Sequence, residues 1–257
     1  MNKLQGKSVI ITGAASGIGK QLAIRCAEEG ANVAICSRTE AKLLETKRIC
    51  EEKGVKVYAK ALDIRDYNSL VAFVDGTVEA LGTIDSLVNN AHTITTPAPF
   101  MDKTIEDLDT EMQSSLYANW HLMKLCYPYM KDKENGASVI NFSSEAAERG
   151  DACYAPYAAS KEAVRGLSRV VAREWGINNI RVNNLSPNGL TDNIGDLETL
   201  EKFLGRKYVE MFLANPFKRA GNPYEDVAPI VVFLLSDESK WVTGQTIHAD
   251  GGGYITA

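Results

Sequence analysis

From residue 8 to residue 249 the chain alternates short apolar runs with stretches of helical periodicity, and this alternation restricts the fold more than any other feature. Ser8–Thr12 reads as a strand closed by glycines, and Ile18, Leu22 and Cys26 then recur every fourth residue along a helix over 17–29. The same rhythm gives strands over 32–36, 56–61, 84–88, 138–142, 180–185 and 245–249. Helices are predicted over 41–52, from Leu70 to a stop at Gly82, and over 106–130, 158–175 and 227–235. Short apolar strands separated by helices imply a parallel sheet covered on both faces. Right-handed crossovers make this an α/β, doubly wound, Rossmann-type sheet. No linker, repeat or low-complexity tract divides residues 1–257, so one domain is expected. Only residues 188–216 break the rhythm; an insertion beyond a strand end is a candidate substrate cover.

Composition narrows the partners. With 28 Lys+Arg against 33 Asp+Glu the chain carries a net charge of −5, and it lacks the basic excess that tracking nucleic acid requires. Its longest strictly apolar run, Ile230 to Leu235, falls far short of the roughly 20 residues of a membrane span. The opening MNKLQGKSVIITG holds no signal-peptide core, and the five cysteines include no C-x-x-C pair. A cytoplasmic protein with reduced thiols is therefore expected, with no nucleic-acid or membrane partner. The three histidines show no ligand spacing, so no metal is expected.

Between the first strand and first helix stands Thr12-Gly13-Ala14-Ala15-Ser16-Gly17-Ile18-Gly19. Glycine allows positive φ and close backbone approach, and the helix N-terminus beyond offers free N–H groups to a pyrophosphate. The G-x-x-x-G-x-G spacing differs from the common G-x-G-x-x-G fingerprint, and a merely tight strand–helix turn is the alternative. An NAD site usually places a carboxylate at the end of the second strand. Here Ser37-Arg38 occupies that place, and Arg38 suits a 2′-phosphate unless Glu40 holds it. NADP(H) is expected, with NAD(H) the second option.

Tyr157 and Lys161 lie four apart on one helix face, a spacing shared by Tyr127/Lys131 and Tyr129/Lys133. Context separates them. Ser143-Ser144 closes the fifth strand, and the helix carrying Tyr157 begins just beyond, whereas the other pairs read as solvated residues at the far end of the preceding helix. Adding hydride to a carbonyl builds charge on oxygen, which needs a proton donor and a second hydrogen bond. A tyrosine pKa of about 10 is high for that task. An ammonium ~5 Å away at an effective dielectric of ~20 contributes about 3 kcal/mol, so Lys161 is expected to bring the phenol down by roughly two units.

These features resemble the short-chain dehydrogenase/reductase family over nearly the whole chain, and within it the NADP-preferring, 3-oxoacyl-ACP-reductase-like subgroup. The carriers are TGAASGIG at 12–19, Asp63-Ile64, Asn89-Asn90-Ala91, Ser144 with Tyr157-Ala158-Ala159-Ser160-Lys161, and the ending from Pro216-Phe217-Lys218-Arg219 through Trp241-Val242-Thr243-Gly244-Gln245 to Asp250-Gly251-Gly252. The resemblance implies Tyr157 as acid–base, Ser144 as the donor to the substrate oxygen, and Lys161 as pKa modifier and ribose ligand. It implies cofactor contacts at Gly13, Ser16, Ile18, Gly19, Ser37, Arg38, Asp63, Ile64, Asn90, Pro187, Leu190 and Thr191, besides Tyr157 and Lys161. It further implies a small carbonyl or alcohol substrate and a homotetramer, or else a homodimer. Three departures stand out. His92 takes a glycine's place, Ser115 falls where a catalytic asparagine is expected (with Asn119 one turn later), and Pro187-Asn188 replaces Pro-Gly. His92, Glu145, Phe203 and Tyr208 are candidate substrate contacts, with Phe212 a further aromatic of the cover. The expected activity is hydride transfer between NADP(H) and a carbonyl or secondary alcohol; the departures leave a catalytically impaired dinucleotide sensor as the alternative.

Overall fold

The computed structural model describes residues 2–191, 197–206, 209–210 and 213–255, with the side chains at 200, 203 and 204 outside the described set. Seven parallel strands form one sheet in the order β3-β2-β1-β4-β5-β6-β7. They are β1 (Ser8–Thr12), β2 (Asn32–Ser37), β3 (Val57–Ala61), β4 (Ser86–Asn89), β5 (Ala137–Phe142), β6 (Ile180–Pro187) and β7 (Thr246–Ala249). The chain runs outward from β1 to β3, then returns to place β4 on the other side of β1. That reversal opens a crevice at the carboxyl ends of β1 and β4, where doubly wound sheets bind ligands.

The inner strands β1, β2, β4, β5 and β6 bury both faces, whereas the edge strands β3 and β7 are only partly buried. Val9 and Ile11 of β1 join Val33, Ile35 and Ile140 in one core with Leu22 and Val231. The intervening Ile10, Ala34 and Val139 enter the opposite core with Phe73, Leu122 and Val182. The alternation is the period of two that a pleated strand imposes.

Helices α1 (Gly17–Glu28), α2 (Glu40–Glu51) and α3 (Tyr67–Leu81) follow the first three strands. α3 starts earlier than its apolar stripe indicates because the Asp66 side chain caps the Asn68 N–H. α4 (Ile105–Met112) opens with a capping box at Thr104 and passes through a π-type turn, Gln113–Tyr117, into α5 (Ala118–Met130). A short α6 (Glu145–Arg149) and the long α7 (Ala155–Trp175) follow β5, with Pro156 accommodated in the first turn of α7. α8 (Leu197–Leu204) lies within the segment read from sequence as a break, and α9 (Ala228–Leu235) is preceded by a second π-type turn at Pro223–Val227.

The strand expected over 84–88 runs over Ser86–Asn89, although Asp85 still bonds to both neighbouring strands, its N–H donating to the Ser8 carbonyl at 2.8 Å and its carbonyl accepting the Ser138 N–H at 3.2 Å. The Asp85 carboxylate accepts the Ser8 N–H at 2.7 Å and pairs with Lys133. The Tyr127 and Lys133 surroundings also correct the expectation of solvated pairs. Tyr127 packs on Trp175 and donates to Asn178 at 3.0 Å, so both side chains brace the end of the sheet remote from the crevice. No helix among the described residues is long and apolar enough to cross a membrane.

Candidate active site

The glycine loop is shaped by contacts that exclude side chains. Gly13 has φ +74°, and a Cβ there would lie 2.9 Å from Asn90 Nδ2. A Cβ on Gly19 would lie 2.4 Å from the Gly13 carbonyl oxygen. The loop is thereby pressed onto the end of β4, where the Thr12 hydroxyl accepts the N–H groups of Asn90 and Ala91 at 3.0 and 2.9 Å. Asn90 Nδ2 donates back to the Thr12 carbonyl at 2.8 Å. Ser16 sits at the N-cap of α1 with no side-chain capping bond.

A groove of about 440 Å³ runs over this loop, lined by Gly13, Ser16, Ile18, Gly19, Ser37, Arg38, Asp63, Ile64, Asn90, His92 and Thr191. Ten of the twelve positions expected only at the cofactor thus line one channel. Leu190 borders an adjoining hollow beside Gly17, and Pro187 ends β6 opposite Ala249. The groove fits an extended dinucleotide: a Cβ-free turn under a helix N-terminus at its centre, and cationic Arg38 and Lys42 at one end. Lys42 went unnoticed in sequence, although it lies four residues beyond Arg38 in the first turn of the next helix. Arg38 is exposed and, among the described residues, makes no ion pair with Glu40. Asp63 is gripped by Arg65, whose Nη2 lies 2.6 Å from Oδ2; that pairing holds the carboxyl below its ordinary range.

At the other end stand Ser144, Tyr157 and Lys161. Ser144 is buried at the N-cap of α6, and its hydroxyl lies beside the Tyr157 phenol. Lys161, on the buried stripe of α7 with Val164, Ser168 and Val171, donates to the Phe142 carbonyl oxygen at 3.1 Å. Burial pushes its ammonium down to about 8. The tyrosine departs from expectation: its phenol is raised above the ordinary value, by burial first and then by the Glu111 and Glu145 carboxylates, while the Ser144 hydroxyl opposes this. The ammonium does not pull it down, because Nζ lies over the ring, 5.8 Å from the centroid, and spends its hydrogen bond on the end of β5.

His92 connects groove and tyrosine. It lines the former, and its ring meets the Tyr157 ring edge-on with centroids 5.2 Å apart. Its Nε2 lies 2.8 Å from Glu111 Oε2. Glu111 is a functional candidate that sequence reading missed. The signal was its place one turn before Ser115 on a face otherwise facing the core; the carboxylate is only 1% exposed. Ser115 lies in the π-type turn with its hydroxyl buried and without a hydrogen-bond partner among the described residues, and Asn119 is buried on α5.

Glu145 turns to a different cluster. Its Oε1 accepts Asn188 Nδ2 at 2.9 Å, its Oε2 lies 3.3 Å from Arg149, and Asp250 is adjacent. Burial first, and then the Asp250 carboxylate, raise it to about 6 against the pull of Arg149. Tyr208 and Phe212 lie outside the described residues, as does the Phe203 side chain.

The chain is similar to known dehydrogenases and reductases. A family model described as enoyl-(acyl carrier protein) reductase matches residues 13–253. The chain is 36% identical over 259 residues to the 12alpha-hydroxysteroid dehydrogenase of Clostridium sp., covering 98% of each protein. It is 37% identical over 252 residues to the 3-oxoacyl-(acyl-carrier-protein) reductase of Thermotoga maritima, covering 97% of this chain and 98% of that one. The crystal structure of carveol dehydrogenase from Mycobacterium avium in complex with NAD superposes with a TM-score of 0.90 at 27% identity, over 98% of this chain and 99% of the other.

Proposed function

The chain belongs to the short-chain dehydrogenase/reductase family, and from that premise we propose that it is an NADP(H)-dependent ketone reductase in which Tyr157 is the acid–base. As a family member it is an oxidoreductase that moves a hydride between a nicotinamide dinucleotide and a carbonyl or secondary alcohol. Support for the reductive direction comes from the raised phenol: Tyr157 is held protonated at neutral pH, the form that gives a proton to an oxygen gaining charge. When bound, the cofactor supplies the hydride.

In this reading Ser144 donates a second hydrogen bond to the same oxygen, which favours the charged transition state over the neutral carbonyl. Lys161, largely cationic below its pKa of about 8, keeps a positive charge over the Tyr157 ring and would be the residue that meets the ribose when the cofactor is bound. Gly13, Ser16, Ile18 and Gly19 would seat the pyrophosphate, Asp63, Ile64 and Asn90 would face the adenosine half, and Leu190 and Thr191, with Pro187 at the end of β6, would bound the nicotinamide end. The preference for NADP(H) rests on Arg38 and Lys42 standing where a ribose-binding carboxylate would repel a 2′-phosphate. Residues 1–257 act as one domain with the 188–216 segment as substrate cover, in a cytoplasmic homotetramer.

The observation that carries the reading is the Ser144 hydroxyl standing beside the Tyr157 phenol, whose ring meets the groove-lining His92. The experiment is a panel of ring ketones, 3-oxoacyl thioesters and steroid ketones assayed for loss of NADPH absorbance. Turnover of any member supports it. Tight NADPH binding with no turnover across the panel rejects the assignment to ketone reduction.

A further inference from the structure

His92 and Glu111 form a buried pair that the proposed chemistry leaves unused. The Glu111 carboxylate is surrounded by donors: Oε2 faces His92 Nε2, and Oε1 accepts the Thr95 N–H at 2.9 Å and the Thr95 hydroxyl at 2.7 Å. Thr95 Oγ1 in turn accepts from Lys103 Nζ at 2.7 Å, which fixes its proton toward Glu111. Although burial opposes its ionisation, these donors bring the carboxyl below its ordinary range. An ionised carboxylate only accepts, so the proton in the 2.8 Å contact resides on His92 Nε2.

The tautomer follows. Burial and the Lys161 ammonium push the imidazole down to about 4, outweighing Glu111, so the ring is neutral and Nδ1 carries a bare lone pair. That atom is buried and has no hydrogen-bond partner among the described residues. The Lys161 ammonium directs its hydrogen bond to the Phe142 carbonyl instead. A buried acceptor fixed in orientation and left without a donor is a site awaiting one. The ring also lines the groove and abuts Tyr157, so the missing donor is one that arrives with a ligand.

We propose that His92 is a hydroxyl-binding residue, whose Nδ1, held in place by Glu111, accepts a hydrogen bond from an O–H group brought into the cleft beside Tyr157. The inference rests on the reading of that cleft as the reduction site, and it adds a selection rule. A ligand offering a hydroxyl to Nδ1 is favoured over one offering a carbonyl or ether oxygen, because two acceptors would face each other. The hydroxyl comes either from the ribose of the dinucleotide or from a substrate hydroxylated near its carbonyl.

The test is 15N NMR of histidine-labelled protein, with the His92 signals identified by their loss in His92→Phe. Nε2 is expected in the protonated range and Nδ1 in the unprotonated range. If the ribose is the donor, Nδ1 moves upfield on adding NADP+. If the substrate is the donor, it moves only when 2-hydroxycyclohexanone follows, and cyclohexanone leaves it unmoved. A protonated Nδ1 in the free protein, or an Nδ1 that responds to neither addition, overturns the proposal. Binding supplies a second readout. His92→Phe keeps the ring against Tyr157 and should weaken the responsible ligand about tenfold. His92→Gln, which retains one donor and one acceptor, should recover part of that loss; equal loss in both variants overturns the proposal. Neither readout requires turnover, so a failure of the reductase reading in the ketone panel stays separate from a failure here.

Discussion

The Lys161 ammonium lies over the Tyr157 ring, 5.8 Å from its centroid, with its hydrogen bond directed to the Phe142 carbonyl at 3.1 Å. The ammonium therefore faces the ring and not the phenol oxygen, and the protonation states of the two side chains differ from those of a directly bonded pair. The phenol stays protonated and the amine loses its proton unusually early.

Removing the phenolic hydroxyl tests the acid. Tyr157→Phe should lower kcat for ketone reduction by about 10³-fold, within the range of general acid catalysis. NADPH affinity, measured by fluorescence titration, should change less than threefold, because the ring that meets His92 is retained. An undiminished kcat would reject the role given to Tyr157.

Lys161 sets an alkaline limit. Because its folded pKa of about 8 lies below the ordinary 10.5, kcat/KM for reduction should fall as pH rises through 8 and the ammonium is lost. Lys161→Arg, whose guanidinium keeps its charge, should move that fall to higher pH even at a reduced rate. The stability linkage has the matching sign. Between pH 8 and 10.5 the unfolded chain binds more protons at this residue, so wild type should gain up to about 3 kcal/mol relative to Lys161→Met on crossing that window. Urea unfolding at pH 7.5 and 10 reads the difference.

Arg38 decides between dinucleotides. Arg38→Ala should weaken NADPH by about tenfold or more, the scale of a lost charge-assisted hydrogen bond, and leave NADH nearly unchanged. Lys42→Ala should act in the same direction more weakly. Equal losses for the two dinucleotides in isothermal titration would reject the 2′-phosphate contact.

Glu145 carries a stability penalty that depends on pH. Its folded pKa of about 6 exceeds the ordinary 4.5, so the native state binds the extra proton and stability drops as pH rises between those values. Above pH 6 the full penalty of about 2 kcal/mol remains. Glu145→Gln keeps an acceptor for Asn188 and removes the charge, so it should raise Tm at pH 7.5 and leave it nearly unchanged at pH 4.5. No pH dependence in the difference would contradict the burial argument.

What could be read in the sequence was local. The strands and the glycine loop announce themselves through alternation and through positions where only glycine fits, as at Gly13 and Gly19. Ser144 and Tyr157 could be paired because one strand end feeds one helix start, and the structure sets the two side by side. What could not be read depended on distant partners. The His92–Glu111 contact spans 19 residues and crosses from a strand end to a helix. The direction of the Tyr157 shift depends on how much water the folded cleft excludes, which no spacing encodes. The two π-type turns show no cue either, since the width of a helical turn is set by the packing around it.

Asn89, Asn141 and Asn184 are direct register partners on β4, β5 and β6. Asn89 Nδ2 donates to Asn141 Oδ1 at 2.8 Å, and Ser168 of α7 bonds both Asn141 and Asn184, at 2.9 and 2.8 Å. This rung lies just below the points where the chain departs toward His92, Ser144 and Pro187, so it serves as a common datum from which three otherwise separate loops are measured. Exchanging a loop above it leaves the alignment of the reacting groups intact, whereas cutting a rung misaligns all three at once. New substrate tolerance is therefore easiest to engineer above the asparagines and hardest at them.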